Sequence, residues 1–198
     1  LEARVFPNFS ANLFRTALFL PSILPVVVVG LVWQLLLTPT TGLIDQILWE
    51  TGLASWSRAW LGEPDTAIFA VIFVSQWQWT GYIMALFMVA IRAVPRDLYE
   101  AAELDGATAW QRFWTITLPM MRSTIGAVLS LGLIGTLQQF DLFAGITEGG
   151  PANTSNVMQF WAWQQSFKQY DFARGATISV LMLIFVLIAA VVYVRSTK

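Results

Sequence analysis

The chain has 198 residues, of which 57% are hydrophobic and 12% charged, with a formal net charge of −1 and a mean hydropathy of +0.63. A soluble domain carries about twice that share of charge, so the composition predicts an integral membrane protein. Cysteine and histidine are both absent, which excludes disulfides, thiolate metal sites and the commonest general base. Lysine occurs only at Lys168 and Lys198, and no basic run exists to neutralise phosphates, so nucleic acid is not an expected partner.

Taken in order, the chain opens on LEARVFPNFSANLF, without an initiating methionine or the basic and apolar regions of a signal peptide, and reads as a fragment. Four apolar runs follow, each near the roughly 20 residues that cross a bilayer core. They are 17–37, 67–91, 123–142 and 175–194, and they predict an all-α transmembrane bundle. The first holds Pro21, Pro25 and Gly30, so its bend either packs on neighbouring helices or merely caps the start of the helix. Residues 38–66 mix Gly and Pro with Trp49, Trp56 and Trp60 around LIDQILW, the pattern of an outer loop with a helix lying in the interface. The second run carries Gln76, Trp77, Gln78, Trp79, Thr80 and Tyr82, a polar density better suited to protein or water than to lipid. Gly126, Ser130, Gly132 and Gly135 in the third would permit close helix packing, and its far end is Gln138, Gln139, Phe140 and Asp141. Between the third and fourth runs lies a second outer loop with the turn signal Gly149-Gly150-Pro151.

Residues 92–122 form the one long charged stretch between apolar runs. Pro95 pre-sets a helical φ in the first turn of a first short helix, whose Leu98, Ala101, Ala102 and Leu104 recur at helical spacing, and Gly106 supplies the left-handed stop. Thr108 and Gln111 form a capping box for a second helix carrying Trp110, Phe113 and Trp114, with Pro119 expected to break it. On the first helix Asp97, Glu100 and Glu103 fall three apart as an acidic stripe, which serves either as a docking face or as a passive solvated one. Counting basic residues in short loops puts Arg4, Arg15, Arg92, Arg96, Arg112, Arg122, Arg195 and Lys198 on one side. Arg58, Lys168 and Arg174 fall on the other, so 92–122 is expected on the cytoplasmic side.

Glu100, Ala101, Ala102, Gly106, Ile116, Leu118 and Pro119 stand at the EAA, G and I-x-L-P positions of the EAA loop of permease subunits in bacterial ABC importers, and the chain resembles that family. FRTALFLPSILPVVVVGLVW, ITEGGPANTS and YDFARGATIS are similar to its carbohydrate-uptake, maltose-type branch. The resemblance covers most of the chain. It implies a type I importer fold, further spans before residue 1, and a place in the bacterial inner membrane. It also implies a cytoplasmic ATPase dimer, a second homologous permease and an extracytoplasmic sugar-binding protein as partners. In such permeases the first short helix is the coupling helix, which assigns ATPase coupling to Glu100, Ala101, Ala102, Glu103, Asp105 and Gly106. Trp110, Phe113 and Trp114 would anchor the second helix on the membrane scaffold or form an interfacial belt. ATP and Mg would be bound by the partner ATPase, with no cofactor in this chain. One departure is Arg174 in ARGATIS, where relatives have small residues.

The chain's own chemistry fits that division of labour. No G-x-x-x-x-G-K-[ST] loop is present, so ATP hydrolysis must come from another chain. Sugars need directional polar partners beside aromatic faces, which nominates Gln138, Gln139 and Asp141, then Gln76, Trp79, Thr177 and Ser179, as substrate-binding residues. The same glutamines could instead bond neighbouring helices. A polyol or glycerol-phosphate permease is the alternative within the class. An ion-coupled secondary transporter would use intramembrane carboxylates or histidines, and apart from Asp141 near a span end the runs hold none.

Overall fold

The computed structural model describes residues 8–196, and every regular element among them is helical. Arg4, Thr197 and Lys198 lie outside the described residues. Helix α1 (Asn8–Phe19) passes into a 3₁₀ turn (Leu20–Ile23), and after an extended Leu24 and Pro25, helix α2 (Val26–Leu36) leaves in a new direction. The run 17–37 is therefore not one straight crossing but two arms bent by 104°. Pro21 and Pro25 are the cause, because each lacks an N–H and crowds the preceding turn.

A short surface helix, α3 (Leu43–Glu50), precedes α4 (Pro64–Arg92), whose 29 residues contain the whole predicted run 67–91. Pro64 stands in its first turn, where no helical partner is needed for the missing N–H. At about 1.5 Å per residue α4 is long enough to cross a bilayer, although its Gln76–Thr80 band dilutes its apolarity.

The predicted two short helices are α5 (Arg96–Leu104) and a composite second segment. That segment is α6 (Ala109–Arg112), a π turn (Phe113–Thr117) and α7 (Leu118–Met120). Pro119 does not break it as expected. The wider π turn just before Pro119 makes room for a residue that has no N–H and would otherwise clash with the carbonyl four residues back. The corner falls instead at Met121, where the segment bends by 66° into α8 (Arg122–Leu137). The run 123–142 likewise ends early, since α8 stops at Gln138 and α9 (Asp141–Ile146) turns back into the core.

Helix α10 (Met158–Trp163) continues through a π turn (Gln164–Lys168) and packs along α11 (Phe172–Ser196), which also touches α8. Of the described helices, only α11 is by itself long and apolar enough to cross a membrane, through Phe172–Val191; up to three crossings result if each bent pair is one. Asp171 caps α11 by accepting the Arg174 N–H at 3.0 Å, and its other carboxylate oxygen pairs with Arg174 Nε at 3.1 Å. The departure at Arg174 is thus absorbed at the helix start.

The core is small and lies where α2, α4 and α9 meet: Val29, Trp33 and Leu37, Val71 and Val74, Leu142, Phe143 and Ile146. Gly30 and Gly145 allow α2 and α9 to touch, since a Cβ on Gly30 would sit 3.4 Å from the Gly145 backbone. Elsewhere large apolar side chains point outward, as Leu35, Phe69, Val89 and Leu129 do, the inverse of a soluble domain's surface.

Candidate functional site

Two regions carry polar chemistry that the core does not use. At the first, α5 ends as predicted: Gly106 adopts φ +74°, its N–H donates to the Glu103 carbonyl at 3.1 Å and the Ala107 N–H to the Ala102 carbonyl at 2.9 Å. That is a Schellman stop. Two residues later Thr108 and Gln111 complete the predicted capping box, with the Thr108 N–H donating to Gln111 Oε1 at 2.8 Å and the Gln111 N–H to Thr108 Oγ1 at 3.3 Å.

The acidic stripe is split by the structure. Glu103 forms an ion pair with Arg112 of α6, whereas Asp97 and Glu100 remain exposed. The apolar residues of α5 are not packed inward either: Leu98 is 41% exposed and Leu104 90%. The outward face therefore combines Asp97, Glu100 and Ala101 with Leu104, an apolar knob among carboxylates rather than part of a separate apolar stripe. Trp110, Phe113 and Trp114 cluster with ring centroids 5.5 to 6.0 Å apart, Trp110 and Phe113 stacked and Trp114 edge-on to both. All three are exposed, so they do not anchor the segment on this chain's own scaffold; their outward belt is the arrangement of interfacial aromatics.

The second region is a cavity of about 380 Å³ between α4 and the end of α8. Gln76 and Trp79 line it from α4, and Gln138, Gln139 and Asp141 from the corner joining α8 to α9. Five of the predicted substrate residues thus share one space, of a size ordinary for small-molecule sites. Thr177 and Ser179 do not join them, because their hydroxyls bond the Ala173 and Gly175 carbonyls of their own helix at 2.8 and 2.9 Å. Gln139 also donates to Ser75 Oγ at 3.3 Å, which ties the corner to α4. Gly132 and Gly135 line the cavity with open space around them, so within this chain they do not serve the close packing expected of them. No lysine or arginine lines the cavity.

Tyr82 lines the same cavity and was not singled out for substrate. Ser75, Trp79, Tyr82 and Leu86 recur at intervals of four, three and four, one helical face, and that spacing was the available signal. A second groove of about 410 Å³ lies between the two outer loops, but among polar side chains only Gln34, Thr38 and Thr147 reach it.

Comparison with known proteins decides the family. Residues 2–197 match the family described as "Binding-protein-dependent transport system inner membrane component". The chain belongs to this family. Among its relatives, the probable ABC transporter permease protein YurN of Bacillus subtilis is 36% identical over 93% of the chain and 63% of YurN. The trehalose/maltose transport system permease protein MalF of Thermococcus litoralis is 31% identical over 93% of the chain and 61% of that protein. This family member thus spans under two thirds of the length of either. In structure it is similar to a chain of a bacterial ABC transporter involved in import of the acidic polysaccharide alginate. The TM-score is 0.83 at 26% identity, over 98% of this chain and 69% of that one. A second structure of the alginate transporter, in complex with a periplasmic protein bound to an alginate pentasaccharide, gives 0.84 at 27% identity.

Proposed function

We propose that the chain is a membrane-spanning permease subunit of an ABC importer that translocates a neutral sugar or oligosaccharide. The observation that carries this reading is the cavity where Gln76, Gln138, Gln139 and Asp141 meet the rings of Trp79 and Tyr82. Amides and a carboxylate supply directional partners for hydroxyls, and aromatic faces receive the C–H side of a pyranose. A cavity lined by no lysine or arginine disfavours phosphorylated or uronate substrates.

The remaining parts take their roles from this. The two bent pairs, α4 and α11 would make four membrane-crossing segments of a multi-pass protein in the bacterial cytoplasmic membrane, with residues 92–122 on the cytoplasmic side. The outward face of α5 suits a cleft in a cytoplasmic ATPase dimer, with Glu100 meeting a basic residue and Leu104 filling an apolar socket. ATP and Mg are held by that partner. A second, related permease would close the open side of the cavity at Gly132 and Gly135, and an external binding protein would deliver the sugar. Closure of the ATPase dimer would move α5 and switch the cavity between outward and inward access.

The test is reconstitution of the full-length permease with its genomic neighbours in proteoliposomes. ATP-dependent uptake of neutral oligosaccharides, unaffected by collapsing ion gradients, is expected. Uptake that needs an ion gradient and no ATP would sink the proposal.

A further inference from the structure

Helix α5 contributes no buried residue, and the glycine joint after it is free of neighbours, since nothing lies within 4 Å of a Cβ built on Gly106. Such a helix would swing about its joint unless something else fixed it. The Tyr99 and Thr117 hydroxyls are 2.8 Å apart across 18 residues of sequence. Thr117 is buried and ends the π turn, whose wider winding brings it to face α5. One turn along α5, on the same face, Glu103 pairs with Arg112. Residues 99 and 103 thus point away from the face bearing Asp97, Glu100 and Leu104.

We propose that Tyr99 is a positioning residue: its hydrogen bond to Thr117, seconded by the Glu103–Arg112 pair, fixes α5 to the segment that enters α8. A displacement of α5 then reaches the cavity-lining helix instead of being lost in rotation about Gly106. This rests on the function proposed above. Of the two ties the hydroxyl pair is the stronger candidate, because Thr117 is shielded, whereas Glu103 is 62% exposed and its ion pair is open to screening.

Tyr99→Phe and Thr117→Val remove the bond while keeping shape. In the reconstituted complex each is expected to lower sugar taken up per ATP hydrolysed by about three- to fivefold, the scale of one lost hydrogen bond. The double variant should be no worse than either single one, because both delete the same contact. ATPase co-purification should stay normal. A normal transport ratio in both single variants overturns the proposal, and so does loss of ATPase binding in Tyr99→Phe, which would make Tyr99 a contact residue.

A second measurement does not depend on transport. Residues 1–198 hold no cysteine, so spin labels on cysteines introduced at Ala101 and Trp114, with any cysteine elsewhere in the full-length chain replaced by serine, report the distance between α5 and the following segment. A narrow distribution that broadens in Tyr99→Phe is expected, and an unchanged width overturns the proposal. Absence of ATP-driven uptake by the unmodified complex would sink the proposed function, while these spin distances would still decide the role of Tyr99.

Discussion

The side-chain amide of Gln78 donates to the carbonyl of Leu24 at 3.2 Å, reaching from the middle of α4 to the break between α1 and α2. Leu24 is extended at that point, and α2 begins its own ladder one residue later with the Val29 N–H to the Pro25 carbonyl at 3.1 Å. Gln78, only 1% exposed, therefore donates to a carbonyl at the proline break, while its own Oε1 is buried without a partner. Gln78→Leu should cost about 1–3 kcal/mol by leaving that carbonyl unpaired. The check is the thermal unfolding midpoint in detergent, expected to fall by several degrees.

One turn further along α4, Gly81 lies against the last turn of α1. A Cβ there would land on the Leu18 carbonyl, a backbone atom that cannot move aside alone. Gly81→Ala is expected to push α4 away from α1 and reduce the amount of folded protein recovered from membranes, whereas Gly52→Ala, in open space, should change yield far less despite its positive φ of 78°. Equal yields for the two variants would remove the argument.

Asp45 joins α3 to the rest of the outer loop. Its carboxylate accepts the Thr40 N–H at 2.9 Å and the Ser57 hydroxyl at 2.7 Å. Those bonds, the Thr40 one foremost, hold its pKa below the ordinary 3.8 against the opposing effect of burial, and Trp60 nearby lowers it further without completing a hydrogen bond. A carboxyl depressed on folding stabilises the loop fully above its unfolded value, and the contribution disappears as pH falls through the lower folded value. Proteolysis of the 38–63 loop should therefore rise below about pH 3.8 in the native chain and already at neutral pH in Asp45→Ala.

Gln138→Ala and Gln139→Ala are expected to differ. Gln138 lines the cavity with no tie to another helix among the described hydrogen bonds, so its loss should raise the KM for sugar about fivefold, equivalent to roughly 1 kcal/mol, and leave stability unchanged. Gln139 also holds Ser75, so its removal should lower both transport and the unfolding midpoint. Transport kinetics and unfolding on the same preparations check both.

Glu100→Ala should be mild, because an exposed ion pair is worth up to about 1 kcal/mol. Glu100→Lys opposes charges at a partly desolvated interface and should abolish sugar-stimulated ATP hydrolysis, with partial recovery when the facing basic residue of the ATPase becomes Glu. Leu104→Asp is expected to prevent ATPase co-purification, since burying a leucine contributes about 1.5–3 kcal/mol that the variant forfeits. Insertion of each variant should be normal, as neither side chain packs within this chain. Normal coupling in both Glu100→Lys and Leu104→Asp would exclude α5 as the contact.

What was legible in the residues was whatever is local. The stop at Gly106, the Thr108–Gln111 box and the extent of α4 and α11 follow from φ preference, capping chemistry and apolar run length, all decided within a few residues. Five of the seven substrate candidates share a cavity, because amides and rings that interrupt an apolar run favour a polar space over lipid. The rest depended on contacts across the chain. Apolar length could not tell a straight span from the 104° bend after Ile23, because Gln78 and Gly81, more than fifty residues away, are what make that bend tolerable. Helical spacing grouped Glu103 with Asp97 and Glu100 in one acidic stripe and Leu104 with the apolar residues. A short helix of mixed polarity has no preferred rotation until Arg112 and Thr117 reach it from the next segment, and those two partners decide which side of α5 stays exposed.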